Sequence, residues 1–282
     1  MMLLGNLCMK PALRDQLRSI EGRHNPLLKE LRRAFAESAL TAAGCLAIEG
    51  VRMVEEAIRS GLTFEAVFFA ESADALAERL LPQLSARVDR ILVPGKLLAD
   101  VLPSQSPQGV AALVRVKRFT LADILAAENP LILVAAGLQD PGNLGTLIRS
   151  AEAFGAAGLV IAEGTVSPRN AKVVRAAAGS FFRLPVVEVA LAELVIALRG
   201  RGVKLVATSS HQGKAVDEAN LSGPVALFIG NEGAGLPQSA LQAMDVTVVI
   251  PQAAHVESLN AGVAGSVLLY EVARQRRRSK AV

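Results

Sequence analysis

Three glycine-bearing turns hold the residues best able to do chemistry. The first begins Gln139-Asp-Pro-Gly-Asn-Leu-Gly145, follows a strand-like run and opens a helix. Leu144, Leu147, Ile148, Ala151 and Phe154 form its apolar stripe. At about 100° per residue, that stripe turns Arg149 to the opposite side. Asn143 falls at the helix start, where free backbone donors can hold an anion. One amide and one guanidinium therefore project from the same turn, a pair suited to a phosphate or a hydroxyl. The same spacing fits an Asn cap and a surface arginine. The turn has neither the GxxxxGK[ST] pattern of a Walker A loop nor the GxGxxG of a dinucleotide loop.

The second turn, Gly230-Asn-Glu-Gly-Ala-Gly-Leu-Pro237, follows a buried-type strand. Its glycines let backbone approach a ligand closely, and Glu232 is the one acid among them. In α/β sheets ligands sit outside the carboxyl ends of the strands, which is where this loop falls. A tight turn with a solvated Glu is the plainer alternative. The third runs from Ile250-Pro-Gln252 through His255 to Ser258-Leu-Asn260 and a helix beginning near Ser258. Gly262 and Gly265 within that helix each cost about 1 kcal/mol against Ala. They point to a close backbone contact with a ligand, a packed segment or a partner subunit. Ser258 fits an N-cap, and His255 could serve as a base, though a lone loop histidine is more often a surface residue.

The elements that position these turns follow from periodicity. Apolar residues near helical spacing make residues 10–43 largely helical. Strand 45–48, helix 50–59, strand 66–70, helix 72–85 and strands 91–93 and 110–116 complete a first α/β unit, residues 10–117. Residues 118–130 link it, through a helical stretch 121–127 and the break Asn129-Pro130. From 131 to 282 strands alternate with helices. The strands fall at 131–135, 158–161, 184–187, 204–208, 225–229 and 246–250. This grammar predicts an α/β fold with a mostly parallel sheet and helices on both faces.

Composition narrows the class. The chain has 282 residues, 51% hydrophobic and 4% aromatic, with no Trp. That is ample for a packed core and excludes disordered and collagen-like chains. The longest apolar runs, 130–138 and 154–162, fall far short of the roughly 18 residues of a membrane span. The first nine residues lack the basic start and cleavage site of a signal peptide, so a cytoplasmic location is expected. Cys8 and Cys45 supply neither a disulfide framework nor zinc-ligand spacing, so no metal is expected.

Net charge is +4, from 30 Lys and Arg against 26 Asp and Glu. The segment 274–280 alone carries five basic residues and no acid. Basic clusters there, over 10–33 and at Arg115, Lys117 and Arg118 can follow a phosphate backbone, but charge alone favours the plainer reading of a solvated helix face and a frayed tail.

Taken together and in order, the three turns resemble the motifs of the SpoU (TrmH-type) RNA 2′-O-ribose methyltransferases, in the SPOUT superfamily. They match as Asn143-Leu-Gly145 with Arg149-Ser-Ala151, Gly230-Asn-Glu232 with Gly235-Leu236, and Ile250-Pro251 with Ser258-Leu-Asn260. The first unit is similar to the substrate-binding domain often attached to these enzymes, a small α/β fold related to a ribosomal protein. Its cues are Glu49-Gly-Val-Arg52 and Gln108-Gly-Val-Ala111.

The resemblance implies a deep trefoil knot, S-adenosylmethionine as cofactor, RNA as substrate (ribosomal RNA favoured by the appended domain) and a homodimer with the active site at its interface. It carries a catalytic set over to Asn143, Arg149, Glu232, Ser258 and Asn260. It places the cofactor against Gly230, Ile250 and Leu259, with Thr208, Gln252, Ser258, Asn260 and the 252–257 loop around it. Motif three departs from the family, which commonly has Met at Gln252, Gly at Ala254 and Ser at Gly262. Two rivals in RNA biology remain, a transfer RNA 2′-O-methyltransferase and a non-catalytic RNA-binding factor that keeps the fold. A nicotinamide enzyme would need the GxGxxG turn that is missing.

Overall fold

The computed structural model describes residues 11–253, 255 and 258–279. It divides into two compact units, the chain up to Lys117 together with Arg169–Ala171, and Arg118–Pro168 together with Lys172 onward.

The first unit contains α1 (Pro11–Arg14), β1 (Arg18–Ser19), α2 (Pro26–Glu37), β2 (Cys45–Glu49), α3 (Val51–Arg59), β3 (Thr63–Ala70), α4 (Asp74–Leu80), β4 (Asp89–Val93), α5 (Gly95–Ala99) and β5 (Val110–Arg115). Its five strands lie in the order β1-β4-β3-β5-β2. β1, β4 and β3 run parallel, and β5 pairs antiparallel with both β3 and β2. Residues 10–43 are less helical than periodicity predicts. Arg18–Ser19 pairs with Ile91–Leu92 instead, and the main helix starts only at Pro26. There the Asn25 side chain accepts from the N–H groups of Leu27 and Leu28, and Pro26 needs no donor at the first helical position. Leu28, Leu31 and Ala34 then fall on the buried face.

The second unit contains α6 (Leu121–Leu125), β6 (Leu131–Ala136), α7 (Pro141–Ala153), β7 (Gly158–Ala162), α8 (Ala171–Ala176), β8 (Val186–Glu188), α9 (Leu191–Gly200), β9 (Lys204–Ser209), β10 (Lys214–Ala215), β11 (Val225–Ile229), α10 (Gln238–Leu241), β12 (Val246–Val249) and α11 (Ala261–Ser279). The seven strands lie in the order β10-β12-β9-β11-β6-β7-β8, and every pairing is parallel.

The two-residue alternation of β6 shows why both faces are covered. Leu131, Leu133 and Ala135 pack with Leu144, Leu147 and Ile148 of α7 and Leu268, Leu269 and Val272 of α11. Ile132, Val134 and Ala136 face the other way, with Ile124, Leu194, Leu198 and Ala240. β10 was not anticipated, because two residues show no period. β8 begins at Val186 rather than Leu184, whose N–H instead bonds Ser180 at 2.9 Å in a turn.

Candidate active site

Motif one is built by α7. Asp140 caps the helix, its Oδ1 accepting from the Asn143 N–H at 2.7 Å, so Asn143 is not the cap. Its side chain is thereby released for longer-range contacts, and its Nδ2 donates to Glu232 Oε1 at 2.9 Å. Motif three begins its helix at Ala261, not near Ser258. Asn260, immediately before it, uses Oδ1 to accept from the Val263 N–H at 3.2 Å and so does the capping. The Asn260 Nδ2 donates to Asn143 Oδ1 at 2.8 Å. One polar chain, Glu232–Asn143–Asn260, thus ties all three motif turns together, with Asn143 only 7% exposed at its centre.

Glycines make that approach possible. A Cβ on Gly262 would lie 3.3 Å from the Asn143 Cα and 3.2 Å from Asn260 Oδ1. The family serine would therefore crowd this crossing. Gly265 sits against Leu147, Ser150 Oγ meets Ser266 Oγ at 2.6 Å, and the Phe154 and Tyr270 rings meet edge-on at 5.8 Å. Of the three explanations for these helical glycines, the packed segment is the one found: α11 lies along α7.

Glu232 carries no ion pair among the described residues. Burial works against its charge, but the Asn143 amide and the backbone N–H groups of Glu232, Gln139 and Asp140 outweigh it and hold its pKa below the usual carboxylate value. The bonds from Gln139 and Asp140 are both 3.3 Å.

The motif-two loop has an organiser that sequence reasoning left unassigned. Asn231 Oδ1 accepts from Gly233 and Ala234, at 3.0 and 2.9 Å, while its Nδ2 donates to the Gly137 carbonyl at 2.9 Å. The signal was available: an Asn side chain readily bonds its own backbone two residues on, and Asn231-Glu-Gly233 puts a glycine at that position. Gly230 has no room for a side chain, since a Cβ would lie 2.6 Å from the Gly235 carbonyl oxygen.

These loops enclose a cavity of about 560 Å³ at the carboxyl ends of β9, β11 and β12. Thr208, Gly230, Glu232, Ile250, Gln252, Ser258, Leu259 and Asn260 all line it, as do Ser209, Ser210 and His211, which sequence reasoning did not name. Thr208 Oγ1 is fixed by donating to the Phe228 carbonyl at 2.9 Å. Gln252 Oε1 is buried and meets no donor among the described residues. Of the loop 252–257, Gln252 is the lining residue among those described; Ala254, Val256 and Glu257 lie outside the described residues. His255 is exposed and does not line the cavity.

Asn143 stands behind the cavity wall, and Arg149 is not brought to the cavity within this chain. It is exposed on α7, and its side chain has no hydrogen bond or ion pair among the described residues.

The basic tail is not a frayed end. Arg274 forks onto Glu271 with two 2.7 Å bonds. Arg276 donates to Asn129, Pro130 and Gly223, at 2.8 to 3.1 Å. Arg277 stacks 5.7 Å from the Tyr270 ring. Lys280 and Lys10 lie outside the described residues. Cys45 is no nucleophile: burial, then the neighbouring Glu65 carboxylate, push its pKa up to about 12. Among the described residues no cluster of His, Cys, Asp and Glu could hold a metal ion, and no helix is long and apolar enough to cross a membrane.

The SpoU rRNA Methylase family model matches residues 130–270, and the RNA 2′-O ribose methyltransferase substrate binding model matches residues 47–120. An uncharacterized tRNA/rRNA methyltransferase of Synechocystis sp. is 35% identical over 94% of this chain and 96% of its own. The 23S rRNA (guanosine(2553)-2′-O)-methyltransferase RlmP of Bacillus subtilis is 32% identical over 91% of this chain and 99% of its own. Among solved structures, the SpoU methyltransferase AviRb from Streptomyces viridochromogenes, in complex with AdoMet, matches with a TM-score of 0.78 at 30% identity. That match covers 90% of this chain and 99% of AviRb.

Proposed function

The chain belongs to the SpoU rRNA methylase family, and from that membership we propose that it moves a methyl group from S-adenosylmethionine to a ribose 2′-hydroxyl of ribosomal RNA. The observation that carries this reading is the polar chain Glu232–Asn143–Asn260, which joins the three motif turns beside a cavity of suitable size.

The residues present fit the cofactor. About 560 Å³ lies within the usual range for such a ligand. Gly230 and Gly235 offer bare backbone, Ile250, Leu259 and Leu268 offer apolar wall, and Gln252 Oε1 is an acceptor with no donor among the described residues. Thr208, Ser258 and Asn260 complete the contact set. When bound, S-adenosylmethionine supplies a methyl group already activated by its sulfonium.

The chain has to align the hydroxyl, whose proton passes to solvent water, and alignment alone is worth several kcal/mol. Arg149 holds the adjacent phosphate and polarises the hydroxyl; a guanidinium carries only donors and does not serve as a base. Asn143 acts as a positioning residue, since both ends of its amide are engaged by Glu232 and Asn260. Ser258, on the cavity wall, borders the reacting groups.

Arg149 reaches an active site in a homodimer, where two copies meet. α11 supports this: Val263, Val267 and Tyr270 form one apolar face, 48%, 37% and 46% exposed. The reading also includes the trefoil threading of the family around the cavity, a two-domain division near residues 117–130 and a cytoplasmic location.

The test uses labelled S-adenosylmethionine with unmodified ribosomal RNA and, separately, transfer RNA. Label at an alkali-resistant linkage in ribosomal RNA is expected from the wild type. Arg149→Ala should lose it by at least 100-fold while retaining cofactor binding by calorimetry. Label in transfer RNA alone would move the substrate class. Cofactor binding absent from the wild type would overturn the enzyme reading.

A further inference from the structure

The first unit has a cavity of its own, about 210 Å³, at the end of its sheet where the carboxyl ends of β3 and β4 meet the amino end of β5. Leu98, Leu102 and Ala73 are buried and give it an apolar floor; Ser72, Ala99 and Gln108 form its rim. Nothing in the chemistry above uses it, and it is smaller than a cofactor site.

Gln108 is held in a fixed orientation. Its Oε1 accepts from the Val51 N–H at 3.1 Å. Gly50, at φ +93, makes room for that contact, since a Cβ there would lie 3.1 Å from the same oxygen. With the acceptor end committed, Nε2 keeps two N–H donors that have no partner among the described residues. The rim therefore presents donors to whatever enters.

Two cations lie next in sequence to residues of this site. Arg52 follows the Val51 that Gln108 grips, and Lys96 follows the rim glycine Gly95. Both are exposed and neither has a carboxylate partner among the described residues. Of the acidic groups near the site in sequence, Glu49 and Asp74 are themselves engaged, while Glu71 and Asp100 adjoin Ser72 and Ala99.

An apolar floor, an amide edge offering only donors and two free cations suit one chemistry, an unstacked nucleobase with its neighbouring phosphates. Specific RNA recognition works mainly through such splayed bases. We infer that this cavity captures one unstacked base of the RNA substrate, read through an acceptor on its edge by Gln108, while Arg52 and Lys96 hold the flanking phosphates. The inference rests on the RNA reading above and assigns the substrate-binding match over residues 47–120 a specific site.

The test keeps the full chain and uses in-vitro transcribed 23S rRNA and bulk transfer RNA, taking forward whichever the wild type binds. Ala99→Leu plugs the cavity from an exposed position with an aliphatic group, which adds no new stacking platform. Ala99→Met is a second plug should the first fail to fold. Either should weaken RNA binding on the order of tenfold or more, the usual scale for losing one base contact. The slope of log affinity against log salt should not change.

Arg52→Ala and Lys96→Ala should each make that slope shallower by about one. Calorimetric binding of S-adenosylhomocysteine should be unchanged throughout. Folded plugs that bind RNA as tightly as the wild type would overturn the base pocket and leave the methyltransferase reading standing. A wild type that binds the cofactor but neither RNA would overturn both the RNA reading and this site.

Discussion

Asn143 and Arg149 share α7, roughly 9 Å apart along its axis at about 1.5 Å per residue. The first is buried, with both ends of its amide engaged. The second faces solvent without a partner among the described residues. One helix therefore supplies a closed polar network at its start and an open guanidinium two turns on. The closed group can only hold other groups still, whereas the open one can meet a substrate. On this division, damage at Asn143 should disturb the cofactor loops and the fold, and damage at Arg149 should disturb transfer alone.

Asn143→Asp is the sharpest way to break the division, and the largest effect expected on binding. It is nearly isosteric, but replaces the donor 2.9 Å from Glu232 Oε1 with a second carboxylate oxygen. Two like charges that close cannot both ionise without cost. At neutral pH the variant should bind S-adenosylhomocysteine about 100-fold more weakly and unfold at a lower temperature. Acidification to the ordinary carboxylate range, where one of the pair takes a proton, should return part of the binding. Calorimetry and thermal unfolding on both variants decide the matter: Arg149→Ala losing cofactor affinity as well would end the distinction.

A smaller effect is expected from Glu232 itself. Its folded pKa lies below the ordinary carboxylate value, chiefly because the Asn143 amide and backbone N–H groups overcome the opposing effect of burial. The stability it contributes is therefore fully present above its unfolded pKa and is lost as pH falls through the depressed folded value. Glu232→Gln should be less stable than the wild type at neutral pH, and the difference should shrink on acidification. Unfolding midpoints measured from pH 7 down to pH 3 test this; a gap that stays constant with pH would show that the carboxylate charge is not what the network uses.

The same contrast between closed and open groups explains what could be read from the sequence. Long apolar runs bounded by turn residues, such as 131–136 and 225–229, were legible as buried strands because burial on both faces leaves no other pattern. β1 and β10 were not, since two residues carry no period and their pairing with β4 and β12 is decided by tertiary contact. Helix phase was legible in α7, where Arg149 is opposite the stripe. The capping residue was not, because several polar side chains precede each helix. Asp140 and Asn260, rather than Asn143 and Ser258, take the caps. The tail shows the same limit. Its charge was plain, but charge does not reveal that Arg276 spends its donors on the carbonyls of Asn129, Pro130 and Gly223.

Gln252 supplies the smallest effect and tests the contrast from the other side. Every member of the Glu232–Asn143–Asn260 chain has its partner, whereas Gln252 Oε1 is buried without a donor among the described residues. A buried acceptor left unpaired costs about 1–3 kcal/mol. Gln252→Met nearly conserves volume and deletes that acceptor, restoring the residue the family commonly has there. The ligand-free protein should therefore gain about 1 kcal/mol, a rise of roughly 2–4 °C in unfolding midpoint for a domain of this size. Cofactor affinity should fall, because the cavity loses a buried side-chain acceptor that no described residue claims. A lower midpoint without ligand would mean that the Gln252 amide is satisfied in solution by ordered water. In that case the cavity wall is as closed as the network behind it, and the cofactor has to be held by backbone alone.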